Sequence, residues 1–287
     1  MSTLTRSYHV VIKPHQKWLY FDWRGLVQYR DLLFLLVRRD FISRYKQTVL
    51  GPAWFIVSPV ITTLVYTVIF SRALGISTAG VPPVLFYLSG LMGWTYFSTV
   101  ISTTATTFTA SANLFGKVYF PRVVVPFALG MSHCITFAIQ LTTFLVVLTM
   151  HEVSGRVDIS LENVIAGLAL TPFLLLHLAL LGLGVGLTLS SVTAKYRDIQ
   201  HLVPTLINLW MFASPVIYPT RRVPENLAWI TELNPVAPVI EAFRHLYLGT
   251  PTMSLSAYAG SALFAVLLFT FGVLSFQRTA RTVADIV

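Results

Sequence analysis

The sequence predicts an all-α integral membrane protein. It has six transmembrane helices, an N-terminal interfacial amphipathic helix, and short outer-side re-entrant helices between spans five and six. Three observations carry this prediction. Only 11% of the residues are charged and 55% are hydrophobic, against about 25% charged in ordinary soluble domains; the mean hydropathy is +0.72. The charges leave six long uncharged windows, between Lys46 and Arg72, Arg72 and Lys117, Arg122 and Glu152, Glu162 and Lys195, Asp198 and Arg221, and Arg244 and Arg278. Each holds the roughly 20 apolar residues that a helix needs to cross hydrocarbon. Finally, Arg30, Arg38, Arg39, Arg44 and Lys46 gather just ahead of the first window, where a chain enters lipid from the cytoplasmic side.

Taken in order, residues 1–23 read as a cytoplasmic tail. His9, Lys13, His15, Lys17 and Asp22 stand where a cleavable signal peptide would need an apolar core. Residues 24–46 carry an apolar stripe at helical spacing, Leu26, Tyr29, Leu33, Leu36 and Val37, which Arg38-Arg39-Asp40 then interrupts. Such a helix lies in the membrane interface. After Gly51-Pro52, residues 47–287 form the six-span domain, with spans near 54–72, 84–108, 123–150, 163–191, 201–219 and 256–277. Residues 222–248 mix Pro224, Pro235 and Pro238 with Trp229, Ile230, Leu233, Ile240, Phe243 and Leu246, while Glu225, Glu232, Glu241 and Arg244 keep the segment out of the lipid core. Two short helices dipping into the outer interface fit this pattern, broken at Asn234-Pro235.

Lys and Arg set the orientation. With both termini inside, the inner segments hold 15 of the 20: nine before the first span, then Lys117, Arg122, Lys195, Arg197, Arg278 and Arg281. The outer segments hold Arg72, Arg156, Arg221, Arg222 and Arg244. The positive-inside rule therefore puts both termini in the cytoplasm.

Several function classes drop out. The net charge of +9 serves topology, since no aromatic-basic groove or zinc-finger spacing accompanies it; no nucleic-acid partner is expected. The single cysteine, Cys134, permits neither an internal disulfide framework nor a cysteine metal site, and it reads as a small buried thiol. Gly182-Leu-Gly184-Val-Gly186 lacks the third glycine of a dinucleotide fingerprint; Gly182 and Gly186 instead make a GxxxG spacing that favours close helix packing. His151-Glu152 has Gly155 where a zinc protease needs its second His. Gly130-Met-Ser132-His-Cys134 lacks the last glycine of a nucleophile elbow. His133 and His177 fall mid-span, as packed and hydrogen-bonded histidines or as proton relays. No phosphate loop occurs, because Gly116-Lys117 is followed by Val118; ATP-driven transport would need the ATPase on another chain.

Two patterns are candidates for a translocation path. Residues 98–111 hold nine Ser or Thr in fourteen positions, Ser102 and Thr106 among them. They read either as tight helix packing or as the wall of a hydrated path. Trp210, Ser214 and Tyr218 recur every four residues and so share a helical face, as do Tyr66 and Phe70 in the first span. Aromatic faces are interface belts or packing surfaces, but rings also bind sugar faces.

The segments RYKQTVLGPAWFIVSPV (44–60), GLMGWTYFS (90–98), ANLFGKVYFPRVVVP (112–126), AKYRDIQHLVP (194–204), LWMFASPVIYP (209–219) and LNPVAPVIEAFRHLYLG (233–249) together resemble the membrane subunit of type-2 ABC exporters for polysaccharides, the O-antigen, capsule and teichoic acid permeases. The likeness covers roughly residues 30 to 277. It implies a homodimer of six-span subunits in the bacterial inner membrane, served by two copies of an ATPase subunit that binds ATP and Mg, with no cofactor in this chain itself. It implies export of an undecaprenyl-diphosphate-linked glycan, most naturally O-antigen. It also implies a coupling segment between spans two and three, Ser111 to Pro121.

The residues agree with it. Asn113, Leu114, Phe115, Lys117, Val118 and Tyr119 form a basic, apolar-aromatic interruption suited to a groove on a partner, or a solvated turn with an interfacial anchor. Lys195-Tyr196-Arg197-Asp198 reads as a further inner loop, an anchor or a second contact. Arg38, Arg39, Arg44 and Lys46 would hold the substrate's diphosphate, since Arg forks match phosphate oxygens in pairs, or would only orient the first span. A capsule or teichoic acid exporter and a small-molecule exporter of this fold are alternatives. A membrane enzyme acting on lipid-linked sugars is disfavoured, because it would need paired carboxylates or His at the membrane boundary and the acids here are scattered.

Overall fold

The computed structural model describes residues 27–115, 120–157 and 160–284. The described residues fold into helices joined by short turns. Helix α1, Arg30–Tyr45, buries Leu36. Leu36 sits in a small apolar cluster with Phe120, Val124, Val125 and Ala128, flanked by Tyr29, Leu32, Leu33 and Val37. The predicted stripe is therefore the packed face, while Phe34 and Leu35 on the other side stay exposed; Leu26 lies outside the described residues.

Gly51, in the left-handed region at φ +54°, opens a 3-10 turn that leads into α2, Trp54–Tyr66. The helix continues in π-helical form over Thr67–Ala73. Across both pieces only Thr63 and Thr67 are buried. Helix α3, Pro83–Ala105, is the opposite: 16 of its 23 residues are buried, which makes it the central helix. Proline at its start is preset for a first helical turn. The chain leaves helical geometry at Thr106, then makes two short turns, Thr107–Ala110 and Ala112–Phe115.

Helices α4, Val124–Val153, and α5, Leu161–Thr193, follow. The Ser160 hydroxyl caps α5 by accepting from the Glu162 amide at 3.1 Å. With α8, Leu255–Ala284, α5 makes the most extensive helix–helix contact among the described residues, and the glycine run rejected as a nucleotide motif allows its close approach. A Cβ on Gly186 would fall 2.6 Å from Thr104 Cβ, and one on Gly182 would fall 3.0 Å from Val100. Those two glycines face α3. Gly184 faces the other way, and a Cβ on Gly272 of α8 would meet its carbonyl oxygen at 2.5 Å. One short run thus lets α5 approach two neighbours at backbone distance.

Among the described residues five helices are long and apolar enough to cross a membrane: Gly51–Ala73, Pro83–Ala105, Val124–Val153, Leu161–Thr193 and Leu255–Thr282. The fifth predicted segment behaves differently. Helix α6, Ile199–Phe212, has 14 residues, about 21 Å of rise against about 30 Å of hydrocarbon. Ala213–Pro219 is then non-helical. Pro215 disfavours helical geometry at Ser214, so the regular face expected for Trp210, Ser214 and Tyr218 ends before its second member.

The segment beyond holds a short helix, Ala228–Glu232, and α7, Ala237–Leu248, separated around Asn234-Pro235. Gly249 closes α7 at φ +63°. Helix α7 is buried against α3 and α5, with Val239, Ile240, Phe243 and Tyr247 inaccessible. The acid and the base expected to keep it out of the lipid core, Glu241 and Arg244, are 7% and 2% exposed; bonds inside the protein hold both, as described below, and leave Arg244 Nε without a partner among the described residues.

Candidate functional site

The basic cluster on α1 divides in two. Arg38, Arg39 and Lys46 are exposed and line a shallow cavity of about 430 Å³ with Leu35, Ile42 and Ser43; none of the three has a partner among the described residues. Arg44 turns inward. Its guanidinium reaches Asp40 at 2.5 Å and lies against His133 of α4, at 2.7 Å from Nδ1 and 3.0 Å from Nε2. Ser132 also donates to the Asp40 carboxylate. With Nε2 protonated, Arg44 donates to His133 Nδ1, Nε2–H donates to Thr103 Oγ1 at 3.2 Å, and Thr103 donates to the Thr99 carbonyl at 2.8 Å, while the approach of the guanidinium to Nε2 is a contact without a hydrogen bond. Arg44 is therefore engaged in tying α1 to α3 and α4, while its three neighbours are available to a ligand.

The hydroxyls of residues 98–111 mostly turn back onto their own helix. Ser102 donates to the Ser98 carbonyl at 2.9 Å, and Thr106 donates to the Thr103 carbonyl at 3.2 Å. Thr104 and Thr107 are buried, while Ser102 and Thr106 are half-buried. Tyr66 and Phe70 keep a common face, with rings 5.2 Å apart, and Tyr66 also meets Tyr87 at 6.1 Å. Trp210 packs edge-on against Phe97 at 5.1 Å and donates to Asn234 Oδ1 at 3.1 Å. The Asn234 amide in turn donates to Ser214 Oγ at 2.8 Å and to the Ala213 carbonyl at 3.1 Å. Tyr218 donates to the Phe212 carbonyl at 2.9 Å. The structure thus brings Trp210 and Ser214 together around Asn234, and places Tyr66 and Phe70 on α2 beside the start of α3.

Of the expected coupling segment, Lys117, Val118 and Tyr119 lie outside the described residues, as does the Asn113 side chain. Leu114 and Phe115 are half-buried. Phe115 sits among Phe108 and Phe120, each 6.0 Å away, with the Arg122 guanidinium 5.4 Å from its ring. Arg122 donates to the Ala280 carbonyl of α8. Phe115 therefore has packing of its own within the chain.

Sequence reading passed over Arg244 as one more outer-side cation. Its guanidinium donates to the carbonyls of Pro215, Val216 (2.7 Å) and Phe86 (3.4 Å), and stands 3.7 Å above the Phe86 ring. Glu241, one turn earlier, accepts from the amide and hydroxyl of Thr220. Gly90 makes the room, since a Cβ there would lie 2.4 Å from Arg244 Nη2. A lone Arg in an apolar helix, together with a distant Gly that nothing else required, was the available signal. A cavity of about 920 Å³ opens beside it, lined in part by Arg221, Arg222 and Glu232. Among the described residues no group of three or more His, Cys, Asp or Glu is placed to hold a metal ion.

Comparison with known proteins gives this geometry a setting. A family model described as ABC-2 type transporter matches residues 31–248. The chain is 28% identical over 250 residues to a Myxococcus xanthus protein named O-antigen export system permease protein RfbA, covering 84% of this chain and 92% of that one. It is 27% identical over 218 residues to a Klebsiella pneumoniae protein of the same name, covering 76% and 80%. A second Klebsiella pneumoniae protein of that name is 25% identical over the same length.

Proposed function

The chain belongs to the ABC-2 type transporter family, and from that premise we propose that it is the permease subunit of an O-antigen exporter, moving an undecaprenyl-diphosphate-linked glycan across the bacterial inner membrane. The observation that carries this is the family match across 31–248 together with relatives named as O-antigen permeases over most of both chains. The chain supplies the path and makes or breaks no bond. ATP and Mg are bound by two copies of a partner ATPase, and the subunit works as a homodimer.

Exposed apolar faces support the membrane setting and the homodimer in this reading. The long apolar faces of α2 and α6 have no cover in the protomer: Ile61, Leu64, Val68, Leu202, Leu206 and Leu209 are exposed. A second copy and lipid would share them. Both termini are cytoplasmic, and α6 with the tail Ala213–Pro219 makes the sixth crossing. Non-helical backbone is tolerated at membrane depth where protein buries it, and here Ser214, Val216 and Ile217 are 0%, 0% and 3% exposed. On α1, Arg38, Arg39 and Lys46 receive the diphosphate, whose charges are the one constant feature of substrates with varying sugars.

Deletion of the gene is expected to remove O-antigen from the cell surface while lipid-linked glycan accumulates inside. Re-expression should restore display only alongside an ATPase subunit with intact catalysis. Undiminished surface O-antigen in the deletion strain would overturn the proposal. For the crossings, a single cysteine at Asn226 in a Cys134→Ser background should react with an impermeant thiol reagent from outside; reaction only from the cytoplasm would refute six spans.

A further inference from the structure

The α1 network borders a second, unassigned feature. Between α2, α3 and α4 lies a pocket of about 230 Å³ with Arg44 and His133 on its wall. Its lining is unusual for the middle of a bundle. Gln140 is 4% exposed, and its amide has no hydrogen-bond partner among the described residues. The Thr136 hydroxyl is buried and also unpartnered. Thr95 and Ser58 add hydroxyls that no neighbour uses. Pro59, inside α2, has no N–H to give the Phe55 carbonyl, and Phe55 too lines the pocket.

Unmet polar groups in a hydrocarbon setting cost several kcal/mol each, so an acyl chain is the wrong occupant. The rest of the wall carries the rings of Trp54, Phe55, Tyr96 and Phe137, beside Pro59, Thr62, Leu91 and Thr99. Hydroxyl and amide groups along one side and rings along another suit a molecule with polar edges and an apolar C–H face, which is the chemistry of a pyranose. The volume lies below the roughly 300–1,000 Å³ of drug-sized sites and suits a single ring.

We propose that this pocket binds one sugar ring, the residue of the glycan nearest its lipid, with Gln140, Thr136 and Thr95 as hydrogen-bonding partners. The inference rests on the export function proposed above and adds a site to it. Arg44 lines the pocket, and it sits on the same helix as Arg38 and Arg39, with Lys46 just past the helix end.

The test uses the permease with its ATPase partner in phosphatidylcholine vesicles. The probe is a polyprenyl diphosphate bearing one hexose, and the reference is the sugar-free polyprenyl diphosphate. In the unaltered protein the sugar should strengthen binding about tenfold, as expected for filling otherwise unpaired buried polar groups. Gln140→Leu should erase that gain while leaving the sugar-free affinity unchanged. Thr95→Val keeps the side-chain shape and removes only the hydroxyl; it should reduce the gain in the same selective way. Equal binding of both probes to the unaltered protein, or a full gain retained in both variants, would overturn the site alone. Binding of neither probe would overturn the export reading and the site with it. Displacement of the sugar-bearing probe by vesicles rich in phosphatidylglycerol would assign the pocket to a bulk-lipid glycerol headgroup, and would also overturn the proposal.

Discussion

Two arginines, one near each end of α3, solve the same problem in different ways. Arg44 is about one-fifth exposed and is matched by a carboxylate, Asp40, one turn away. Arg244 is 2% exposed and is held by carbonyl oxygens and an aromatic face, with Glu241 close by but bonded to Thr220. The first is a half-wet ion pair, of a kind that contributes little to stability. The second is a buried cation whose surroundings were built around it, and removing one partner of such an arrangement is costly. The lesson is that position along the chain says little about a cation's role. Arg44 stood in the cluster that promised phosphate binding, yet it staples α1 to the bundle; Arg244 stood in a segment expected at the outer interface, yet it anchors the non-helical stretch that follows α6.

The sharpest way to break this comparison is Arg244→Met. It should cost about 3–5 kcal/mol, read as a lowered unfolding midpoint in detergent, because the carbonyls of Pro215, Val216 and Phe86 lose their donor. An unchanged midpoint would show that the buried cation is incidental. Next, Gly90→Ala should cost about 1–3 kcal/mol by crowding the guanidinium. Combined with Arg244→Met it should cost less than the sum of the two, since the clash disappears with its partner; strict additivity would separate the two residues. Arg39→Lys should reduce export about tenfold at unchanged expression, because a lysine loses the paired contact to phosphate. Full export from that variant would leave the exposed cations with a topology role only. The smallest effect belongs to Arg44→Met, about 1 kcal/mol or less of stability. A loss comparable to that of Arg244→Met would mean the two ends are alike after all.

Much of the fold was legible because lipid imposes a simple rule on composition. Five of the uncharged windows hold the helices that, among the described residues, are long and apolar enough to cross a membrane, and the stripe of Tyr29, Leu33, Leu36 and Val37 marked the packed face of α1. The fifth window misled because an absence of charge says nothing about helical continuity; the informative residues were Ser214-Pro215, a break hidden inside an apolar run. The GxxxG reading of Gly182 and Gly186 was right, while the second face through Gly184 needed knowledge of α8 to see. The site was less legible. Arg44, His133 and Thr103 are separated by up to 89 residues, and no local pattern joins them. Gln140 sat unremarked in an apolar stretch, since a lone amide announces neither its burial nor its lack of partners.

The glycines of α5 have a mechanical consequence. Where backbones touch with no side chain between them, there is no soft layer to absorb sliding. Shifting α5 by a turn along α3 would carry Ser190 into the place that Gly186 leaves for Thr104, or Leu178 into the place that Gly182 leaves for Val100, and Leu180 or Thr188 would replace Gly184 against Gly272. Helices α3, α5 and α8 are therefore keyed to one another and can travel only as one piece. Any stroke driven from outside the protomer must be taken up where the joints are loose, along the sparsely packed α2 and the short, interrupted α6. The molecule resembles a fixed post flanked by two levers, and the power of a motor acting on it would appear as motion of the levers.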